Sequence, residues 1–291
     1  MSQTIDDPPI TTAMAVADPK GVRRPRQASK AGKARKVLLP LLVFAAVLGL
    51  WTAVTYLLLD DRRRFLLPPP WAVITDGLLG DSLDLIVPAF LQTASVALTG
   101  LVLAIIIGVT AAVIMSQSRW IEESVFPYAI IIQTLPILAI VPLVGLWLGF
   151  NFQSRVIVCV LMSLFPVITN TLFGLKSADR GLHDLATLHS ASRWTRLRTI
   201  SFPSALPSMF VGMRIAGGMS VIGAIVGDFF FRQGTPGIGR LLDIFRANLD
   251  FASLMAAILV CSMLGLVVFW TFGFLAKVFT GRWSASEEAQ R

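Results

Sequence analysis

The sequence predicts an all-α membrane protein with about six transmembrane helices, and three observations predict it. Hydrophobic residues make up 55% of the 291 positions and charged residues only 14%, whereas soluble domains carry about 25% charged residues; mean hydropathy is +0.74. Six runs are apolar for the ~20 residues that a helix needs to cross hydrocarbon. They are continuously apolar rather than alternating, which excludes barrel strands. In hydrocarbon every backbone N–H and C=O must be bonded within the structure, which leaves helices.

The runs fall at residues 37–59, 90–115, 125–150, 156–175, 206–231 and 254–279. The first exceeds the ~7–15-residue core of a cleavable signal, so it reads as a retained span. Before it, Lys20, Arg23, Arg24, Arg26, Lys30, Lys33, Arg35 and Lys36 lie among Ala, Pro, Ser and Gly with no apolar period. Residues 1–36 read as a disordered basic tail held near anionic headgroups. No aromatic residue interleaves these charges, which argues against nucleic acid as a partner. Residues 37–280 form the six-helix membrane domain, and residues 281–291 a short C-terminal tail.

Lys and Arg set the orientation. With the N-terminus in the cytoplasm, the inner side holds the tail charges, Arg119, Lys176, Arg180, Arg193, Arg196, Arg198, Lys277, Arg282 and Arg291. The outer side holds Arg62, Arg63, Arg64, Arg155, Arg232, Arg240 and Arg246. Both termini are therefore expected in the cytoplasm of a multi-pass protein of the cell inner (plasma) membrane. Outside, Pro68, Pro69 and Pro70 force an extended stretch. Further on, GTPGIG makes a turn before a short interfacial helix with Leu241, Leu242, Phe245 and Leu249 on one face. Gly100, Ala104, Gly108 and Ala112 in the second span, and Ala216, Ser220 and Ala224 in the fifth, recur every fourth residue and predict close helix contacts.

The cytoplasmic connection, residues 176–204, is the most informative segment. Leu182, Leu185 and Leu188 repeat at three-residue spacing and predict a short helix with one apolar ridge. Asp179 and Asp184 lie near its start, where carboxylates suit the helix dipole. Nothing in its own loop buries that ridge, and an exposed apolar ridge marks a partner surface.

The loop resembles the EAA loop of binding-protein-dependent ABC importer permeases. That pattern runs E-A-A, three residues, G, nine residues, I, one residue, L-P. Asp184, Leu185 and Ala186 stand at the triplet, Ser190 at the glycine, Ile200 at the isoleucine, and Phe202 with Pro203 at the end, without a gap. A glycine there permits φ > 0, and serine costs about 1 kcal/mol in that conformation. LPPPWAV, QTLPILAIVPLVGLWLG, FPVITNTLFGLKS, PSALPSMFVGMRIA and GTPGIGRLL resemble the nitrate/sulfonate/taurine branch of the same family.

The resemblance implies a type I importer permease fold. It makes the loop helix a coupling helix seated in a groove of a separate ATPase, with Asp184, Leu185, Ala186, Leu188, Ser190, Ala191, Ser192, Arg193, Ile200 and Pro203 as coupling residues. It further implies two copies of the ATP-binding subunit, a second permease subunit (a homodimer in the usual case for this branch, a related chain being the alternative the sequence leaves open), an extracytoplasmic solute-binding protein, and alternating access. The chain has no G-x-x-x-x-G-K-[ST], so it cannot cradle ATP phosphates as a P-loop does. It is expected to be no enzyme and to bind no cofactor, with ATP and Mg held by the partner ATPase.

Polar residues within spans are candidates for the translocation path. Gln133, Thr134 and Pro136 lie in the third span, and Ser163, Pro166 and Asn170 share a face of the fourth. Asp228, near the outer end of the fifth, is a candidate gate or binding-protein contact. Arg214 reads as an anchor that snorkels towards the cytoplasm. No chain of carboxylates or histidines crosses the spans, so a proton relay is not supported. His183 and His189 lack partners in metal-ligand spacing. Cys159 and Cys261 fall within apolar runs and suggest no disulfide. A six-span secondary transporter or channel is the alternative function, but neither midplane charges nor inverted halves are present. A membrane-embedded enzyme lacks its catalytic constellation. The solute stays open among sulfonates, nitrate, taurine-like acids, and vitamin precursors such as pyrimidines or flavins; GAIVGDFFF leans towards the last.

Overall fold

The computed structural model describes residues 30–231 and 233–288, and among these every regular element is helical. The chain separates into two compact units, Met1–Leu50 and Trp51–Arg291. The division falls inside the first helix, α1 (Lys30–Ala53), which a π-turn, Val54–Leu58, continues. The helix begins at Lys30, inside the stretch whose composition reads as disordered; residues 1–29 of that tail lie outside the described residues.

The second unit continues through a 3-10 turn, Asp61–Leu66, to the proline run. Pro69 is extended (φ −64°, ψ 156°), and Pro70 opens the short helix α2 (Pro70–Ala72), where its missing N–H is harmless. After the π-turn Val73–Leu78 come α3 (Leu83–Ser116), α4 (Arg119–Thr134), α5 (Ile137–Leu148) and α6 (Phe152–Lys176). The loop helices α7 (Arg180–Leu188) and α8 (Arg193–Arg196) follow, then α9 (Phe202–Phe230), α10 (Ile238–Ala247) and α11 (Phe251–Glu288). α10 is the short helix expected from the leucine spacing, but it ends at Ala247: Leu241 and Phe245 are buried in the core, while Leu249 lies beyond the helix at φ +58° and is exposed. α11 runs on to Glu288, so residues 281–288 are helical.

Two spans differ from their expected form. α3 starts at Leu83 rather than near 90, because Pro88 lies in its second turn and deletes only the bond towards Asp84. Its 34 residues rise about 51 Å, well beyond the ~30 Å hydrocarbon. The third span, expected as one helix over 125–150, is broken: α4 and α5 meet at 98°. The cause is Leu135-Pro136. Proline pushes the residue before it out of the helical region, and Leu135 sits at ψ 131° with Pro136 at ψ 98°.

Helix directions decide whether α4–α5 crosses. Call the end of the bundle bearing α7 proximal. Glu122 at the start of α4 ion-pairs with Lys176 at the end of α6, so both are proximal. The end of α3 lies there too, since Met115 packs with Leu175 and Leu197. Gly149 and Asn151, after α5, adjoin the start of α6 at the distal end. The bent pair therefore starts proximal and finishes distal, which makes it one crossing. Among the described residues five helices are individually long and apolar enough to span, and with the bent pair there are six.

The bundle is built on α6, with α3 and α9 packed closely against it. The expected small-residue columns are buried within the chain: Gly100, Ala104, Gly108 and Ala112 on α3, and Ala216, Ser220 and Ala224 on α9. Gly100 and Gly223 press on Cys159 of α6; a Cβ at Gly223 would stand 2.9 Å from the Cys159 Cα. Two buried hydroxyls bond across helices, Ser163 Oγ to the Ala216 carbonyl at 3.0 Å and Ser220 Oγ to the Ala97 carbonyl at 2.6 Å.

Candidate functional site

The proximal loop is a two-helix projection whose every turn is specified locally. Asp179 caps α7, its carboxylate accepting from the Gly181 N–H at 2.9 Å. Leu182, Leu185 and Leu188 are 46%, 55% and 80% exposed, and no residue of α7 is buried. The predicted ridge thus stands free of the chain's own helices. Trp194, 67% exposed on α8, adds an aromatic ring that the leucine spacing gave no reason to include.

The helix stops in a Schellman turn. The Ala191 N–H donates to the Ala186 carbonyl at 2.9 Å and the Ser190 N–H to the Thr187 carbonyl at 3.0 Å. Ser190 has φ +49°, the left-handed conformation that the glycine position implied. Ser192 then caps α8 by accepting from the Thr195 N–H at 3.1 Å, and Arg196 Nε returns to the Ala191 carbonyl at 3.0 Å. Leu197 is buried among Met115, Leu175 and Ala205 and anchors the projection. Ile200 and Pro203 are half-buried at the entry to α9, while Asp184 and Arg193 face solvent.

The membrane candidates do not form a single path. Gln133 joins Leu135, Met162, Phe165 and Met219 around a cavity of about 120 Å³ at the α4–α5 break. Thr134 bonds back to the Ile131 carbonyl, and Pro136 makes the break itself. Asn170 turns back to the Pro166 carbonyl at 2.9 Å and lies against Gly212 of α9. Ser163 is enclosed and spends its hydroxyl on α9. Arg214 lies over the Phe269 ring at 3.9 Å, a cation–π contact that suits an anchor.

Asp228 was expected at interface depth, yet it is fully enclosed and ion-paired to Arg155 at 3.0 Å, their side chains 0% and 2% exposed. Thr93 Oγ1 donates to the other Asp228 oxygen at 2.6 Å while accepting from the Ile238 N–H at 2.8 Å. Arg155 also donates to the carbonyls of Phe231, Gln233 and Thr235 at 3.0, 2.7 and 3.0 Å. Gly237 and Gly239 press so closely on Asp228 that a Cβ on either would collide with it. This lock ties α3, α6 and α9 to the distal loop. From sequence, Arg155 looked like one more outer-side charge; only its place directly before an apolar run hinted otherwise.

Helices sufficient for six membrane crossings, with an exposed amphipathic projection between two of them, fit a membrane-spanning subunit. The chain belongs to the family of binding-protein-dependent transport system inner membrane components, which matches residues 100–284; it is a multi-pass inner-membrane permease. A riboflavin transport system permease of Chloroflexus aurantiacus is 32% identical over 78% of this chain and 84% of its own. A formylaminopyrimidine transport permease of Halalkalibacterium halodurans is 31% identical over 80% and 91%. A putative aliphatic sulfonates transport permease of Escherichia coli is 32% identical over 51% and 56%. A chain of an amino acid ABC transporter solved with histidines shares the fold, with TM-score 0.52 and 18% identity over 69% of this chain and 94% of that one.

Removing one partner of a buried ion pair strands the other charge and costs about 3–5 kcal/mol. Asp228→Asn and Arg155→Met are each expected to lower the thermal unfolding midpoint of the detergent-purified chain. The double variant should lose less than the sum of the two, a coupling that a double-mutant cycle reads directly.

Proposed function

We propose that this permease is the translocating subunit of an ATP-driven importer, coupled to a separate ATPase through α7. The observation that carries the reading is the exposed ridge Leu182, Leu185 and Leu188, ended by a left-handed Ser190. An apolar ridge on a helix with no intramolecular cover suits a groove on a partner. Its basic surroundings, Arg119, Lys176, Arg180, Arg193, Arg196 and Arg198, favour the cytoplasmic side, where ATP is available.

On this reading two ATP-binding subunits carry ATP and Mg, and a second copy of this chain completes the pathway. A binding protein delivers the solute to the distal face. Asp184 to Arg193 form the docking surface, with Ile200 and Pro203 as the joint into α9. ATP-driven approach of the two ATPases moves α7 and, through the α6–α9 pair, switches access from one end to the other. Leu188→Asp is expected to abolish ATP-dependent uptake and ATPase co-purification while leaving membrane insertion intact. Ser190→Gly, which relieves about 1 kcal/mol of left-handed strain, should retain both. Unchanged uptake in Leu188→Asp would sink the docking role.

For the solute we favour a flat, uncharged heterocycle of the vitamin-precursor kind. The relatives named for riboflavin and formylaminopyrimidine align over most of this chain, the sulfonate relative over half. The cavity at the α4–α5 break offers thioether and aromatic surface with one amide, Gln133, a lining that suits a polar ring. In proteoliposomes with its cognate binding protein, uptake should be competed by flavins or pyrimidines and not by taurine. Competition by taurine alone would overturn the solute assignment and leave the importer reading standing.

A further inference from the structure

Beneath the docking ridge lies a second cavity, of about 320 Å³, that the ridge does not use. Its wall carries Gln117, Lys176, His183, Arg193, Arg196 and Ser201. Five elements converge there: the end of α3, the last residue of α6, α7, α8 and the turn before α9. Lys176 is met from the neighbouring side by Glu122. Arg196 commits its Nε to the Ala191 carbonyl, which leaves its two terminal nitrogens. The Arg193 side chain makes no hydrogen bond or ion pair among the described residues; only its carbonyl is used, by the Leu197 N–H. Three cations therefore share one cavity whose wall carries no carboxylate; on the neighbouring side Glu122 pairs with Lys176 and Glu123 with Arg119.

Like charges gathered in a concavity focus a positive potential and favour an anion. Two guanidinium groups, an ammonium and a hydroxyl together offer forked and single donors, the set that suits a tetrahedral oxyanion with several acceptor oxygens; the Gln117 amide is spent on the Val113 carbonyl and Ser116 Oγ. The cavity lies level with Ser116 and Lys176, the last residues of two spanning helices. That is headgroup depth, and basic pockets between spanning helices on the cytoplasmic side bind anionic head groups.

We propose that this cavity binds a phosphate-bearing anion. At that depth the source is the phosphodiester of an anionic phospholipid; soluble phosphate carries the same chemistry. The bound anion bridges α8 to the ends of α3 and α6 and holds the docking projection at a fixed height over the bundle. The binding site stands on the cavity alone; only its placement in the cytoplasmic leaflet rests on the importer reading.

The test is native mass spectrometry of the complete chain in detergent, titrated separately with short-chain phosphatidylglycerol, short-chain phosphatidylcholine and sodium phosphate. Phosphatidylglycerol should bind, and phosphatidylcholine, whose own ammonium neutralises its phosphate, should bind far more weakly. Arg193→Gln should weaken phosphatidylglycerol binding about tenfold, the scale of one charged hydrogen bond, and Arg193→Lys should restore most of it. Arg198→Gln removes the same charge from an exposed position in the same loop, off the cavity wall, and should change nothing. Arg193-dependent binding of sodium phosphate in place of the lipid would uphold the site and assign it to the soluble source. Equal weakening by Arg193→Gln and Arg198→Gln, or binding of neither ligand in an Arg193-dependent way, would overturn it. A chain that still co-purifies with its ATPase under that last outcome loses this site and keeps the importer reading.

Discussion

The contact between α6 and α9 is the constraint on which the rest of the molecule depends. In lipid, helices gain nothing from leaving water, so association rests on close packing and a few cross-helix hydrogen bonds. Gly223 lets α9 approach the backbone of α6 at Cys159, and Ser163 bonds the two directly. At the distal end the Arg155–Asp228 pair closes the contact. At the proximal end the chain leaves α6 at Lys176 and returns into α9 at Phe202, so the exposed two-helix projection is the link between these same two helices.

This arrangement joins the two ends mechanically. The projection is held by caps at Asp179 and Ser192, by the Schellman turn at Ser190, and by Leu197 buried in the bundle. It is therefore a rigid handle rather than a slack loop. Force on α7 passes into α6 and α9 together. At the other end, the distal loop is tied to the same helices through Arg155 and Thr93. The break at Pro136 divides the third crossing into two arms, α4 at the proximal end and α5 at the distal end, and opens the cavity beside Gln133.

Much of this was legible in the sequence where the signal is local. Leucine spacing placed α7 and its free ridge, and the resemblance to the EAA loop, which sets Ser190 at a glycine position, implied the left-handed turn that the backbone shows at φ +49°. Columns of small residues located the tight helix contacts. The polar residues in the spans were less legible, because hydropathy records cost and not partner. Asp228 looked like a lone acid near the outer end of its span, and its neutralising Arg155 lies far off in the chain, just before a different run. Pro136 announced a bend but not its size, since a proline can kink a helix or end it, and neighbouring turns decide which. Ser163 likewise read as a path residue because nothing in the sequence shows the Ala216 carbonyl waiting for it.

The most direct test of the coupling account is a thiol crosslink from the ridge. Cys159 and Cys261 are buried, so Leu185→Cys provides the accessible thiol among the described residues. In the assembled transporter, a short thiol-specific crosslinker at position 185 should capture the ATP-binding subunit, with the yield changing on addition of ATP. Labelling of residue 185 from the extracytoplasmic side, or a crosslink confined to this chain's own spans, would contradict the account.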